Sequence, residues 1–163
     1  MSLFNDDDLA SILKQKDDEK KQIDEREKNR RDAISMICQG LLEFPQAAEK
    51  VGLEPDEYCK TKVFKIEYLK GWHIFKSAGE YFIIGVDGRC FTGSRGGTNY
   101  KTPGRGISIE KVIYYENENI NKFAEKLAIH AILRNPTEVK NIFAAILNGK
   151  KPHLSEEHGH IVI

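Results

Sequence analysis

Cysteine and tryptophan are scarce in this chain, and neither sign of charge dominates. Its three cysteines, Cys38, Cys59 and Cys90, are odd in number, widely separated and without a CxxC pair. That excludes a disulfide framework or a zinc ribbon as the organising device and fits a reduced, cytoplasmic protein. Twenty-five basic residues are balanced by twenty-five acidic ones. No whole-molecule field therefore draws the chain to nucleic acid or an anionic membrane, and any such affinity must come from a local patch. Nowhere do apolar residues approach the length of a membrane-spanning helix, so no membrane partner is expected. The opening MSLFNDDDLA puts three aspartates where an export signal needs bases and an apolar run, so none is expected. Internal repeats and low-complexity segments are lacking too.

A length of 163 residues suits one domain with an appendage and is enough for a real core. The first third reads as helix. Asn5 or Asp6 can cap it, and Asp6, Asp7 and Asp8 sit where the helix dipole favours negative charge. Leu9, Ile12 and Leu13 form a short apolar stripe, and Ile34, Ile37, Cys38, Leu41 and Leu42 form a second. Between them the shaft is charged, with opposite pairs four residues apart at Asp17/Lys21, Asp24/Lys28 and Glu27/Arg31. An uninterrupted coiled-coil seam is missing. Two readings stay open: a solvated helix anchored at its far end, or an arm whose Leu9, Ile12 and Leu13 tip pairs with another subunit.

Pro45 is expected to interrupt this helix, with a short helix over 46–51 stopped by Gly52. From Lys62 the pattern turns to strand formers, and KVFKIEYL, WHIF and EYFIIGV read as strands. Asp87-Gly88 predicts a two-residue hairpin. The expectation is an antiparallel meander of three or four strands, followed by a loop over 93–106. Residues 107–115 fit either a strand or a helix. NINKFAEKLAIHAIL reads as a helix, and Asn135-Pro136-Thr137-Glu138 opens another with a cap, a proline at the first helical position and a glutamate to close the box. The tail can add an edge strand. The fold class is thus α+β: a long N-terminal helix, the meander and two C-terminal helices. In domain terms this gives a charged helical arm over 1–44, a connecting helix and turn over 45–61, and an α+β domain over 62–163.

For catalysis, the candidate constellation is Cys90 with His73 and Asp87, the residue types of a thiol nucleophile and its base. No local signature supports it, and Cys90 also reads as a small buried hydrophobe, so no catalytic residue is assigned. GSRGG has neither the GK[ST] ending of a phosphate loop nor a GxGxxG pattern. His153, His158 and His160 lack a second ligand cluster. His130 lies within the apolar run of its helix and reads as a packed histidine. No cofactor or metal is expected.

The departure from average composition is CFTGSRGGTNYKTPGRG, Cys90 to Gly106. From Gly88 to Ile109 there is no acid in 22 residues, while Arg89, Arg95, Lys101 and Arg105 supply four positive charges. Glycines beside Arg95 and Arg105 let an arginine and its backbone enter a narrow space such as an A·T-rich minor groove. Hydroxyl and amide side chains here suit phosphates, and Tyr100 suits stacking on a base. Arg89, Arg95, Tyr100, Lys101 and Arg105 are the candidate nucleic-acid contacts. Gly52-Leu53-Glu54-Pro55-Asp56-Glu57-Tyr58, the run from Tyr81 to Thr92-Gly93, and Gly104-Arg105 followed by SIEKVIYYENENINKF together resemble the bacterial histone-like nucleoid-structuring family. Phe91 stands where that family has tryptophan, and Ser94 to Pro103 separates two motifs that the family keeps adjacent. The resemblance implies a helical oligomerisation region and a DNA-contacting loop. It maps the minor-groove arginine to Arg105, with Arg95 as the rival. The leading expectation is a nucleic-acid-binding regulator, with a possible homo-oligomer through the N-terminal helix. The alternative is a non-enzymatic module whose partner is another protein, such as an inhibitor, immunity protein or phage-encoded adaptor.

Overall fold

The computed structural model describes residues 3–62, 65–77, 79–101, 108–155, 157 and 159–163, with side chains described outside 58–68 and 94–113. Helix α1 (Asp6–Lys50) starts on Asn5, whose Oδ1 accepts from the Asp8 N–H at 2.8 Å. At 1.5 Å per residue it is about 67 Å long. Every residue from Leu3 to Lys28 is exposed. Burial begins with Ala33 and continues through Ile37, Leu41, Phe44 and Ala48, one face at helical spacing. Pro45 does not end the helix as the sequence predicts; it lies inside it. Losing the bond to the Leu41 carbonyl costs about 3 kcal/mol. Full burial of Leu41 and Phe44 in the same turn, each contributing about 1.5–3 kcal/mol, offsets that. The helix ends instead at Gly52, whose φ of +72° allows the Leu53 N–H to reach back to the Ala48 carbonyl at 2.9 Å.

Five strands follow the arm in part or whole: β1 (Asp56–Lys62), β2 (Lys65–Ser77), β3 (Glu80–Gly85), β4 (Cys90–Lys101) and β5 (Ser108–Asn117). Each is antiparallel to the next, so β1 and β5 run in the same direction. Their pairing, at Cys59 and Lys111, is parallel and closes the meander into a five-stranded barrel. The sheet is thus larger than three or four strands, because closure rests on contacts far apart in sequence. One more difference from expectation follows, together with the outcome of a reading left open. The glycine-rich stretch is strand through Lys101 rather than loop from Gly93, its ladder to β5 irregular between Arg95 and Asn99, and the ambiguous segment after Ile107 is strand β5. The β3–β4 connection spans four residues, 86–89, rather than the two expected, with Gly88 left-handed and its N–H on the Gly85 carbonyl at 2.9 Å.

Strand β2 divides its edge between two partners. Its first half pairs with β1 up to Gly71, and beyond that Lys76 pairs with β6 (His153–Leu154), which carries β7 (Ile161–Val162) on its outer side. Gly71 is where the β1 and β3 ladders meet, and a Cβ there would run into the Ile84 carbonyl oxygen. Helices α2 (Ile120–His130) and α3 (Pro136–Leu147) start on Asn119 and Asn135, and at the latter Glu138 Oε1 accepts from the Asn135 side-chain amide at 2.9 Å. They bury Phe123, Leu127, Val139, Ile142 and Ile146 together with α1 against the outer face of β2–β4, where Trp72, Ile74, Phe75, Phe82, Ile84 and Cys90 lie. Trp72 satisfies its indole N–H on the Leu53 carbonyl at 3.1 Å. A second cluster, Leu69, Tyr81, Ile83, Phe91 and Tyr114, fills the opposite, barrel-interior face.

Candidate nucleic-acid interface

Its partner strands place β4 in two environments along its length. From Cys90 to Ser94 it lies between β3 and β5, and Cys90, Phe91, Thr92 and Gly93 are all buried. The β3 ladder stops at the Glu80–Ser94 pair, whereas the β5 ladder continues to Lys101 opposite Ser108. Beyond Ser94, β4 is paired with β5 alone among the described residues, while β5 is also paired with β1 at Lys111; this distal β4–β5 ribbon carries one acid, Glu110 opposite Asn99. Arg95 stands opposite Val112, Tyr100 opposite Ile109 and Lys101 opposite Ser108. Arg105 lies outside the described residues, as do the side-chain placements of the other three.

Arg89 belongs to a different place. It sits at the β3–β4 turn, on the far side of the buried 90–93 segment from the ribbon. It is not unopposed: its Nε is 2.7 Å from Asp87 Oδ2, and a second guanidinium nitrogen is 3.7 Å from Glu116 Oε2. Its charge also lies over the Phe91 ring, 5.4 Å from the centroid. Partial burial raises the Asp87 carboxyl, but the Arg89 backbone N–H and guanidinium outweigh it and hold the acid below the usual range. Glu116 is far from Arg89 in sequence and comes beside it only through the β4–β5 ladder, so local composition overstates the free charge at Arg89.

The thiol constellation is not assembled. Cys90 lies in the outer-face core with Ile84, and burial pushes its thiol up to about 11. His73 pairs with Ile83 and stacks edge-on against Tyr81 at 5.9 Å, on the opposite face of the sheet. Burial is the main reason its ring is lowered to about 4; the Pro152 carbonyl it donates to works against this, and Lys151 and Lys76 add to it. A cluster that sequence spacing does not reveal joins α2 to the β2–β3 hairpin. His130 Nδ1 is 3.0 Å from Ser77 Oγ, its Nε2 is 3.4 Å from Glu80 Oε2, and Lys126 pairs with the other Glu80 oxygen. Ser77 is 6% exposed, and the His130 ring packs on Phe82 at 5.4 Å. The group therefore fastens the helix to the sheet, in keeping with a packed histidine. Among the described residues, no three His, Cys, Asp or Glu side chains are grouped to hold a metal ion.

Leu9, Ile12 and Leu13 all face solvent, at 45%, 45% and 66% exposure. No helix among the described residues is long and apolar enough to cross a membrane. No family model matches the chain, and no curated protein or solved structure shows significant similarity to it.

Proposed function

We propose that the chain is a nucleic-acid-binding regulator that presents the distal β4–β5 ribbon to DNA, with Arg95, Tyr100, Lys101 and Arg105 as the contacting residues. One observation carries the reading: the 22-residue stretch without an acid includes the part of β4 that extends past β3. A two-stranded β-ribbon is one of the two elements a B-DNA major groove admits, and arginine-bearing ribbons also enter minor grooves. Basic residues on such a ribbon contact phosphates without opposition from their own strand. Arg89 is left out of the interface because Asp87 and Glu116 already occupy it. The test is DNA retention by the wild type and by an Arg95→Ala/Arg105→Ala variant; equal retention refutes the reading.

A protein partner is the second reading. The observation in its favour is the exposed Leu9, Ile12 and Leu13 stripe on the projecting part of α1. It predicts that a stripe substitution, Leu9→Ser/Leu13→Ser, loses a co-purifying protein while DNA retention stays at the level of any neutral protein.

A further inference from the structure

We infer that the helix-bearing side of the β4–β5 pair holds an unpaired nucleic-acid strand, with the Tyr115 ring stacking on a base; this rests on the nucleic-acid reading and names the form of nucleic acid. Tyr115 is 68% exposed, the only exposed Phe, Tyr or Trp of the sheet among the described residues. It stands opposite Thr92, which in turn stands opposite Phe82, so it lies on the side of the sheet that the helices cover. Phe123 of α2 packs on Phe82 at 5.6 Å, and Thr92 is 9% exposed. The cover therefore reaches β4 and ends before Tyr115. A strand position that alternation turns toward the helices is left as a bare ring.

The ring's neighbours suit a base. Asn117, two residues further along β5 and on the same side, gives one side-chain N–H to the Thr92 hydroxyl at 3.2 Å. Its second N–H and its carbonyl oxygen can meet the edge of a base stacked on Tyr115. Charge favours a polyanion there as well. The acids of β5, Glu110 and Glu116, hold positions of the other parity, and Glu116 is drawn to Arg89 at 3.7 Å. Steps of two back from Tyr115 pass Ile113 and Lys111 to Ile109, which pairs with Tyr100. Tyr115's parity thus carries a second tyrosine and one base, and no acid. Aromatic rings with cations between them hold a single strand whatever its sequence. Bases in a duplex are stacked on one another, so such rings meet free base faces only where the strands are apart. Arg95 pairs with Val112, of the other parity, so the stacking and arginine contacts are separable by mutation. A flexible strand can reach both by passing over distal β4, which among the described residues is paired on its β5 side alone.

Fluorescence anisotropy of the full chain with single-stranded DNA and RNA of about twelve nucleotides, and with a duplex of the same length, tests it. Tyr115→Ala is expected to weaken single-strand binding about fivefold to a hundredfold. The salt slope is expected to stay unchanged, because a base contact and no phosphate contact is lost. The DNA or RNA arm with the larger loss identifies the strand bound. Tyr115→Phe keeps the ring and is expected to stay within about twofold of the wild type. Duplex affinity is expected to be the same in all three proteins. Undiminished single-strand binding by Tyr115→Ala overturns the inference, as does an equal loss on the duplex or an equal loss in Tyr115→Phe. Arg95→Ala/Arg105→Ala, run alongside, separates the two readings. If it weakens binding and Tyr115→Ala does not, stacking alone falls; if the reverse holds, the arginine assignment alone falls. A wild type that binds none of the three overturns both.

Discussion

Acidification should release the C-terminal hairpin from the barrel through a single histidine. His73 sits on β2 where the β1 ladder has ended and β6 takes over the edge, and its ring donates to the Pro152 carbonyl. Burial holds the folded ring at about 4 against an ordinary value of 6.5. The fold therefore favours the neutral ring, while the unfolded chain protonates near 6.5. The associated stability is fully present above about pH 6.5. It is lost as pH falls toward 4, where both states carry the proton. At 1.36 kcal/mol per unit, the loss is about 3 kcal/mol. Carboxylates titrate over part of this range, so the comparison is with His73→Gln, which keeps a donor for the Pro152 carbonyl but cannot be protonated. Urea unfolding at pH 7, 5.5 and 4 should show the wild type losing about 3 kcal/mol relative to the variant. Hydrogen exchange at the Lys76 amide, which bonds to Pro152 at 3.3 Å, should accelerate over the same window in the wild type alone. A stability gap that stays constant with pH refutes the reasoning.

Two backbone positions give opposite predictions. Helix α2 ends on Ile132 at φ +52°, a left-handed position where α1 and α3 use Gly52 and Gly149. A β-branched residue there is strained by roughly 1–2 kcal/mol, and glycine returns part of that as chain entropy. Ile132→Gly should raise stability by about 1 kcal/mol in thermal or urea unfolding, and a loss refutes the strain. Gly71→Ala should do the reverse. The added methyl meets a backbone oxygen that cannot rotate away, so a loss of about 3 kcal/mol is expected, and a neutral result means that β2 and β3 can separate at this crossing.

Local signals recovered what is local. The Asn135 to Glu138 start of α3, the capping of α1 beside three aspartates and the strand character of EYFIIGV all hold in the structure. Failures came where a distant contact decides. Pro45 remains helical because Phe44 and Ala48 pack against elements about thirty to a hundred residues away. Ile132 takes a glycine's conformation because Leu133 is pulled into the core behind it. The glycines at 93, 96 and 97 read as loop, yet the β5 ladder holds that stretch as strand apart from one irregular step. Barrel closure has no sequence signature, since β1 and β5 meet at Cys59 and Lys111, fifty-two residues apart. At the candidate interface, the absence of acids between Gly88 and Ile109 is legible in the sequence. That Glu116 folds back onto Arg89 is not, because only the β4–β5 register brings the two together.

The claim that the β4–β5 ribbon binds nucleic acid is tested most directly by titrating an A·T-rich and a G·C-rich duplex at two salt concentrations, reading fluorescence anisotropy. The wild type should bind with an affinity that falls as salt rises. Arg95→Ala/Arg105→Ala should weaken binding and flatten the log–log salt slope by about two, one for each lost phosphate contact. A wild-type affinity and salt slope indistinguishable from those of the double variant on both duplexes would contradict the account.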